Sequence, residues 1–127
     1  MLGRVPRVLL VDDDQAILRL LEVNFRLEGF ETVTASRGED ALASAAAQRP
    51  DAIVLDLMLP GLDGKEVFRR LRGDEALSAV PVVFLTARSI EEDLRSLSAT
   101  ERTSFVTKPF DPTELVETVR DHLEAIA

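Results

Sequence analysis

The sequence contains no cysteine, and this absence excludes a disulfide framework, a thiolate metal site and a cysteine nucleophile. It has no apolar run that approaches the roughly 20 residues of a membrane-spanning helix. The N-terminus also lacks the apolar stretch and small-residue cleavage site of a secretory signal peptide. We therefore expect a cytoplasmic protein that makes no contact with membranes.

Positive charge is scarce as well. The chain has 15 Lys and Arg residues against 23 Asp and Glu residues, which gives a net charge of −8. Nucleic acid carries the same sign of charge, so we expect no direct nucleic-acid binding by this chain. With 127 residues, of which 46% are hydrophobic and 30% charged, the chain is typical of one globular domain, which we expect to extend over residues 1–127.

Short apolar runs rich in β-branched residues alternate with longer segments of helical periodicity. This alternation predicts an α/β fold in which a parallel sheet is covered by helices on both faces. The five predicted strands are residues 7–11, 30–35, 51–56, 80–86 and 104–107. The clearest helical spacing is found at Ile17, Leu20, Leu21 and Phe25, and at Val116, Val119, Leu123 and Ile126.

Several predicted helices carry signals for their first or last residues. Capping boxes, in which a small polar residue precedes a Glu by three positions, are expected at Ser36 with Glu39, Asp63 with Glu66, Ser89 with Glu92, and Asp111 with Glu114. Gly29 and Gly73 follow helical segments, where a left-handed C-cap favours glycine. Pro50 is expected to end the second helix, and Pro112 to occupy the first position of the last one.

Polar residues cluster at the ends of the predicted strands. In a doubly wound sheet, ligands bind beyond the carboxyl ends of the strands, where the strand order reverses. We therefore expect the strand-end residues to gather at one edge of the sheet. They are Asp12, Asp13 and Asp14 after the first strand, Asp56 at the end of the third, Thr86 at the end of the fourth, and Lys108 after the fifth.

The carboxylates in this group are a candidate metal site. Neighbouring strands lie about 4.8 Å apart, so Asp12, Asp13 and Asp56 would share one small pocket. Like charges at such distances raise a pKa or recruit a cation, and an oxygen-only ligand set suits Mg²⁺, with Mn²⁺ as an alternative. Asp14 either joins this set or caps the helix that follows it.

The same group has the residues that phosphoryl transfer needs. A carboxylate can attack phosphorus and form an aspartyl phosphate, provided that the added negative charge is neutralised. A metal ion would neutralise part of this charge and the ammonium of Lys108 another part, while the hydroxyl of Thr86 would donate a hydrogen bond to a phosphoryl oxygen.

Four segments of the sequence resemble the motifs of one family, in the same order and spacing. They are VLLVDDD at residues 8–14, DAIVLDLMLPGLDG at 51–64, VFLTA at 83–87 and KPF at 108–110. The family is that of the bacterial two-component response-regulator receivers, and the resemblance covers essentially the whole chain. It implies a flavodoxin-like, doubly wound sheet of five parallel strands in the order 2-1-3-4-5, with five helices on both faces.

The resemblance also implies a role for each residue of the acidic pocket. Asp56 would be the phosphoacceptor, and Asp13 and Asp56 would bind the metal directly. Asp12 would bind it mainly through water, and Met58 would contribute its backbone carbonyl.

Further roles concern residues of the fourth and fifth predicted strands and the residues that follow them. Thr86 and Lys108 would contact the phosphoryl group, and the peptide bond from Lys108 to Pro109 would be cis. Phe105 matches an aromatic position whose rotamer changes on activation, so Thr86 and Phe105 would form the switch.

The implied function is that of a signalling switch rather than an enzyme acting on other substrates. The one histidine, His122, is expected to be a surface residue on the last helix, far from the acidic pocket. A separate histidine kinase or phosphotransfer protein would therefore donate the phosphoryl group, and the receiver would catalyse only its own phosphorylation and dephosphorylation. The surface formed by the fourth predicted helix, the fifth strand and the fifth helix would then regulate an unknown output domain or protein. The expected state is a monomer or a weak, phosphorylation-dependent dimer.

The chain departs from the family at residues 100–104, where receivers commonly have a Gly-Ala pair and then acidic residues. No glycine follows Gly73, so a left-handed glycine C-cap cannot end the fourth predicted helix, whose apolar stripe is Ile90, Leu94 and Leu97. This segment is either the moving part of the switch or a tolerant surface loop. Leu94 and Thr103 also replace charges that usually form the dimer interface of the winged-helix subfamily.

Alternative functions of other classes are less consistent with the residues. A phosphatase of the haloacid dehalogenase type also forms an aspartyl phosphate with magnesium, but that family usually has its nucleophile after the first strand and a longer chain. A docking module that works without phosphorylation would not need Thr86 and Lys108 beside an intact acidic set. A dinucleotide-binding protein would carry a G-x-G-x-x-G motif after the first strand, which is missing here.

Overall fold

The computed structural model describes residues 5–87 and 102–126. Its sheet has five parallel strands in the order β2-β1-β3-β4-β5. The strands are β1 (Arg7–Val11), β2 (Glu31–Ala35), β3 (Ala52–Asp56), β4 (Val82–Thr86) and β5 (Thr103–Thr107). The helices within the described ranges are α1 (Gln15–Leu27), α2 (Gly38–Gln48), α3 (Gly64–Gly73) and α4 (Pro112–Ile126). The predicted flavodoxin-like topology is confirmed.

All five strands lie within two residues of their predicted bounds. The helix predicted around residues 90–97 lies outside the described residues, and so do the capping box at Ser89 and the segment before Arg102. None of the four described helices combines the length and the apolar character needed to cross a bilayer.

The core forms two layers, one on each face of the sheet. Alternate residues of β1, β3 and β4 point to opposite faces. On one face, Leu9, Ile53 and Phe84 pack with residues of α2 and α3. On the other, Leu10 and Val54 pack with residues of α1 and α4. Because both faces are covered, the central strands are continuous apolar runs, and their polar residues appear only where the strands end.

Two of the predicted helix ends need correction. At α2 the N-cap is Arg37, which makes no side-chain capping bond, so the capping box predicted at Ser36 is wrong. The chain enters α2 at Gly38, where a Cβ would lie 2.3 Å from the carbonyl oxygen of Leu62. This close approach to the loop after β3 shifts the start of the helix one residue past the predicted cap.

The second correction concerns the end of α3. Gly73 is the last helical residue rather than a left-handed C-cap, and Asp74 follows with φ −94°. By contrast, Gly29 has φ 91° after α1, as predicted. Asp63 also caps α3 as predicted, since its Oδ1 accepts a hydrogen bond of 2.9 Å from the backbone N–H of Glu66.

Gly64, the first residue of α3, allows the helix to approach the end of β3. A Cβ at this position would lie 2.6 Å from the carbonyl oxygen of Asp56 and 2.7 Å from the Cα of Leu57. Both are backbone atoms, which cannot move aside without displacing the strand end. Because Gly64 has no side chain, α3 packs directly against the backbone of Asp56, and the packing of the helix and the position of Asp56 depend on each other.

We predict that Gly64→Ala destabilises the protein by about 1–3 kcal/mol, because the added methyl overpacks a rigid contact. The matched control is Gly73→Ala in the same helix, where a Cβ would meet no atom within 4 Å and alanine is the better helix former by about 0.5–1 kcal/mol. Urea unfolding followed by far-ultraviolet circular dichroism measures both, since the chain has no Trp or Tyr for fluorescence. Equal stability of the two variants would contradict the close-packing argument.

Candidate functional site

Three carboxylates meet where β1 and β3 end. Asp12 follows β1 and Asp56 is the last residue of β3, and their side chains are buried, with 0% and 3% of their surface exposed. Asp13 is exposed. One carboxylate oxygen from each residue lies within 4.8 Å of the other two. The predicted gathering of these aspartates is thus confirmed by the geometry.

Each buried carboxylate is held by the backbone two residues further on. Asp12 Oδ1 accepts a hydrogen bond of 2.9 Å from the N–H of Asp14, and Asp56 Oδ1 accepts one of 3.0 Å from the N–H of Met58. Such Asx turns are common for an aspartate that ends a strand. Neither bond was predicted from the sequence, although the position of each aspartate directly at a strand end was a signal for it.

The second oxygen of each buried carboxylate faces Lys108. The Nζ atom of Lys108 lies 3.0 Å from Asp12 Oδ2 and 3.3 Å from Asp56 Oδ2. Lys108 follows β5, and its backbone N–H donates a hydrogen bond of 2.8 Å to the carbonyl of Thr86 at the end of β4. The lysine therefore joins the ends of four strands into one charged cluster.

Asp14 has a separate role. Its Oδ1 accepts hydrogen bonds from the backbone N–H groups of Ala16 and Ile17, so it is the N-cap of α1. Of the two roles considered for this residue, the structure supports helix capping.

The charges in the cluster do not balance. Burial raises the pKa of Asp12 and the charge of Asp56 raises it further, while the N–H of Asp14 and the ammonium of Lys108 act in the opposite direction. Burial lowers the pKa of Lys108, but its hydrogen bond to Asp12 and the charge of Asp56 outweigh this, so its pKa is above the usual value. One protonated lysine is thus paired with two carboxylates, and the carboxylate of Asp13 lies beside them.

This excess of negative charge fits a divalent cation. The available ligands are carboxylate oxygens, which are hard donors of the kind that Mg²⁺ and Mn²⁺ prefer. Asp13 is exposed and would let an ion enter from solvent, keeping several of its waters. Asp12, Asp13 and Asp56 are therefore a candidate metal centre.

Thr86 and Phe105 are placed on the same face of their strands. The buried Thr86, at the end of β4, donates its hydroxyl to the carbonyl of Ala87 at 3.0 Å. Phe105 is half-buried in β5 and stacks on Phe84 with ring centroids 5.2 Å apart and an interplanar angle of 13°. The cis peptide bond implied between Lys108 and Pro109 is present.

The prediction that His122 is a surface residue needs a correction. It lies on α4, as predicted, but it is half-buried rather than a free surface residue, and its Nε2 lies 2.7 Å from the hydroxyl oxygen of Ser104. Burial lowers the pKa of His122, partly opposed by the charge of Asp121. It lies ten positions beyond Pro112, the first residue of α4, which corresponds to about 15 Å along the helix.

Comparisons with known proteins agree with this geometry. Residues 8–120 match the family model of the response regulator receiver domain. The DNA-binding response regulator MtrA of Mycolicibacterium smegmatis is 43% identical over 117 residues, and the match covers 92% of this chain but 50% of MtrA. The chain thus spans about half the length of the curated relatives it matches.

Two solved structures are similar over nearly their whole length. The chemotaxis response regulator CheY4 of Vibrio cholerae superposes with a TM-score of 0.86 at 29% identity, covering 94% of this chain and 99% of that one. The receiver domain of the sensor histidine kinase PA1611 from Pseudomonas aeruginosa, which has a magnesium ion coordinated in its active-site cleft, gives 0.84 at 31% identity, covering 95% and 99%.

We predict that Mg²⁺ stabilises the wild-type protein by about 1.4 kcal/mol at a concentration roughly ten times its Kd, and that Asp13→Ala removes most of this gain. The control is Asp14→Ala, which removes the same charge from the adjacent exposed residue. It should cost about 1 kcal/mol through the lost helix cap and keep the response to Mg²⁺. Thermal unfolding with and without MgCl₂, at constant ionic strength, measures both. An unchanged response in Asp13→Ala would argue against this ligand.

Proposed function

Because the chain belongs to the response regulator receiver family, we propose that Asp56 accepts a phosphoryl group from a histidine kinase or phosphotransfer protein. The observation that carries this proposal is the position of the Asp56 carboxylate. One of its oxygens is bound by the N–H of Met58, and the other faces the ammonium of Lys108. Asp12 and Asp13 stand beside it as further ligands for a cation.

We infer the following roles at the metal site. Asp13, Asp56 and the backbone carbonyl of Met58 would hold Mg²⁺ directly, and Asp12 would hold it through water. The ion would supply positive charge to the phosphoryl oxygens. In the transfer, a carboxylate oxygen of Asp56 forms a bond to phosphorus while the bond from phosphorus to the donor's imidazole nitrogen breaks, and the nitrogen keeps the electron pair.

The remaining groups bind the transferred phosphoryl group. Lys108 exchanges its contact with Asp56 for one with a phosphoryl oxygen, so its charge stays paired during the reaction. Thr86 donates its hydroxyl to another phosphoryl oxygen after turning away from Ala87. Hydrolysis of the aspartyl phosphate by water returns the domain to its starting state. Receiver domains are signalling domains rather than classical enzymes, and we propose that this one catalyses only its own phosphorylation and dephosphorylation.

Phosphorylation would act on an output partner through the far side of β4 and β5. Movement of Thr86 leaves space into which Phe105 turns, which breaks its stack on Phe84 and changes the surface around β5.

The relative MtrA is a DNA-binding regulator about twice as long as this chain. We infer that any contact with DNA belongs to a separate output domain or protein. A cytoplasmic location and a monomer or weak dimer remain predictions.

We predict that a small phosphodonor with Mg²⁺ adds one phosphoryl group to the wild type and none to Asp56→Asn, because an amide is not a competent nucleophile. Asp14→Asn is the matched control, since it makes the same chemical change at an exposed aspartate of the same strand-end region and should be labelled like the wild type. Intact-mass spectrometry measures the label. Equal labelling of Asp56→Asn and the wild type would rule out Asp56 as the acceptor.

We predict that the beryllofluoride complex, an analogue of the phosphorylated state, has Thr86 closer to Asp56 and the Phe105 ring turned inward. The reference is the present arrangement, with the Phe105 and Phe84 centroids 5.2 Å apart. Crystal structures of the free and bound protein make the comparison. If both residues keep the same positions in the two structures, the proposed coupling to β5 is wrong.

A further inference from the structure

A cavity of about 590 Å³ lies beside the acidic cluster. One wall is the loop after Asp56, residues 57–61, which is mostly apolar, and the charged lining residues are Asp13, Asp63 and Lys65. Asp56 is only 3% exposed, and the exposed Asp13 beside it provides a route of approach from solvent on this side. The cavity is therefore the space next to the acceptor that the leaving part of a donor can occupy.

Among the residues that the structure describes, Lys65 is the one cation that lines this cavity. Asp63 is engaged as the N-cap of α3, and Asp13 is one of the three carboxylates of the candidate metal centre. The chain has two lysines in all, Lys65 and Lys108, and Lys108 is already paired with Asp12 and Asp56. A negative charge that develops on a leaving group in this cavity would therefore be stabilised by the charge of Lys65.

Lys65 is also free to take this role. Arg69 and Arg70, one turn further along α3, both form ion pairs with Glu66, and Arg72 donates a hydrogen bond to the carbonyl of Val80. Lys65 makes no ion pair or hydrogen bond with any side chain in residues 5–87 and 102–126. Lys65 is exposed and lines the cavity, and no carboxylate of the described residues is paired with it.

We propose that Lys65 is a specificity-determining residue for the phosphodonor, favouring donors whose leaving group departs as an anion. This inference rests on the proposed function of Asp56. With an acyl phosphate, the bond from phosphorus to the acyl oxygen breaks and that oxygen keeps the electron pair, so a carboxylate leaves. With phosphoramidate, the bond from phosphorus to nitrogen breaks, and the already protonated nitrogen leaves as neutral ammonia. Only the first leaving group gains from the charge of Lys65.

The test compares acetyl phosphate with phosphoramidate as donors at saturating Mg²⁺, following the rate of labelling by intact-mass spectrometry. Lys65→Met should slow labelling by acetyl phosphate about two- to fivefold, the size expected for a solvent-exposed charge, and leave the rate with phosphoramidate unchanged. Lys65→Arg should restore the wild-type ratio of the two rates. Arg69→Met, which removes the same charge from the same helix, should keep that ratio as well.

The possible results distinguish a failure of the role of Lys65 from a failure of the role of Asp56. An unchanged ratio in Lys65→Met, or an equal fall in Arg69→Met, would overturn the role of Lys65 while leaving Asp56 as the acceptor. If neither donor labels the wild type at Asp56, the proposed function fails and this inference fails with it. A rise of the effect at low ionic strength would support it, because screening weakens exposed charges.

Discussion

Asp12 and Asp56 lie on neighbouring strands, and both are almost fully buried. Removing two like charges from water costs several kcal/mol per ion unless a partner is supplied. The ammonium of Lys108 is that partner, at 3.0 and 3.3 Å from the two carboxylates. It comes from the end of β5, two positions away from β3 in the sheet, so the strand order and the long lysine stem are both needed for the contact.

The rest of the site depends on keeping those two carboxylates in place. Asp12 and Asp56 are each fixed by a backbone N–H two residues further on, so the loops after β1 and β3 must be tight. Asp14 begins α1 directly after the first loop, and Gly64 lets α3 return against the end of β3. The helices in turn are held by the two-layer core. The exposed Asp13 lines the cavity beside the cluster, where the proposed function places the cation and the donor.

Much of this arrangement could be predicted from the sequence. The alternation of apolar runs and helical segments predicts the parallel sheet, and the rule for strand ends brings Asp12, Asp56 and Lys108 together. Both signals are repeated over many residues, so single errors matter little. The N-cap predicted at Ser36 and the left-handed C-cap predicted at Gly73 were wrong because each cap depends on one local contact. The close approach of Gly38 to Leu62 shifts the start of α2. At the other position, the chain leaves α3 without a residue in the left-handed conformation. The burial of His122 against Ser104 joins elements distant in sequence, and no local pattern predicts it. The chemical roles of Asp12, Asp13, Asp56 and Lys108 stay predictions, as do those of Thr86, Phe105 and Met58.

In the proposed function, the cluster around Lys108 directs phosphoryl transfer to Asp56 rather than to Asp12 or Asp13. Reductive trapping tests it most directly, because borohydride converts an aspartyl phosphate to homoserine and so marks the residue that carried the phosphoryl group. After treatment with acetyl phosphate and Mg²⁺, tandem mass spectrometry of the reduced protein should find homoserine at position 56. Homoserine at position 12 or 13 instead, or a phosphoryl label that yields no homoserine at all, would contradict the account.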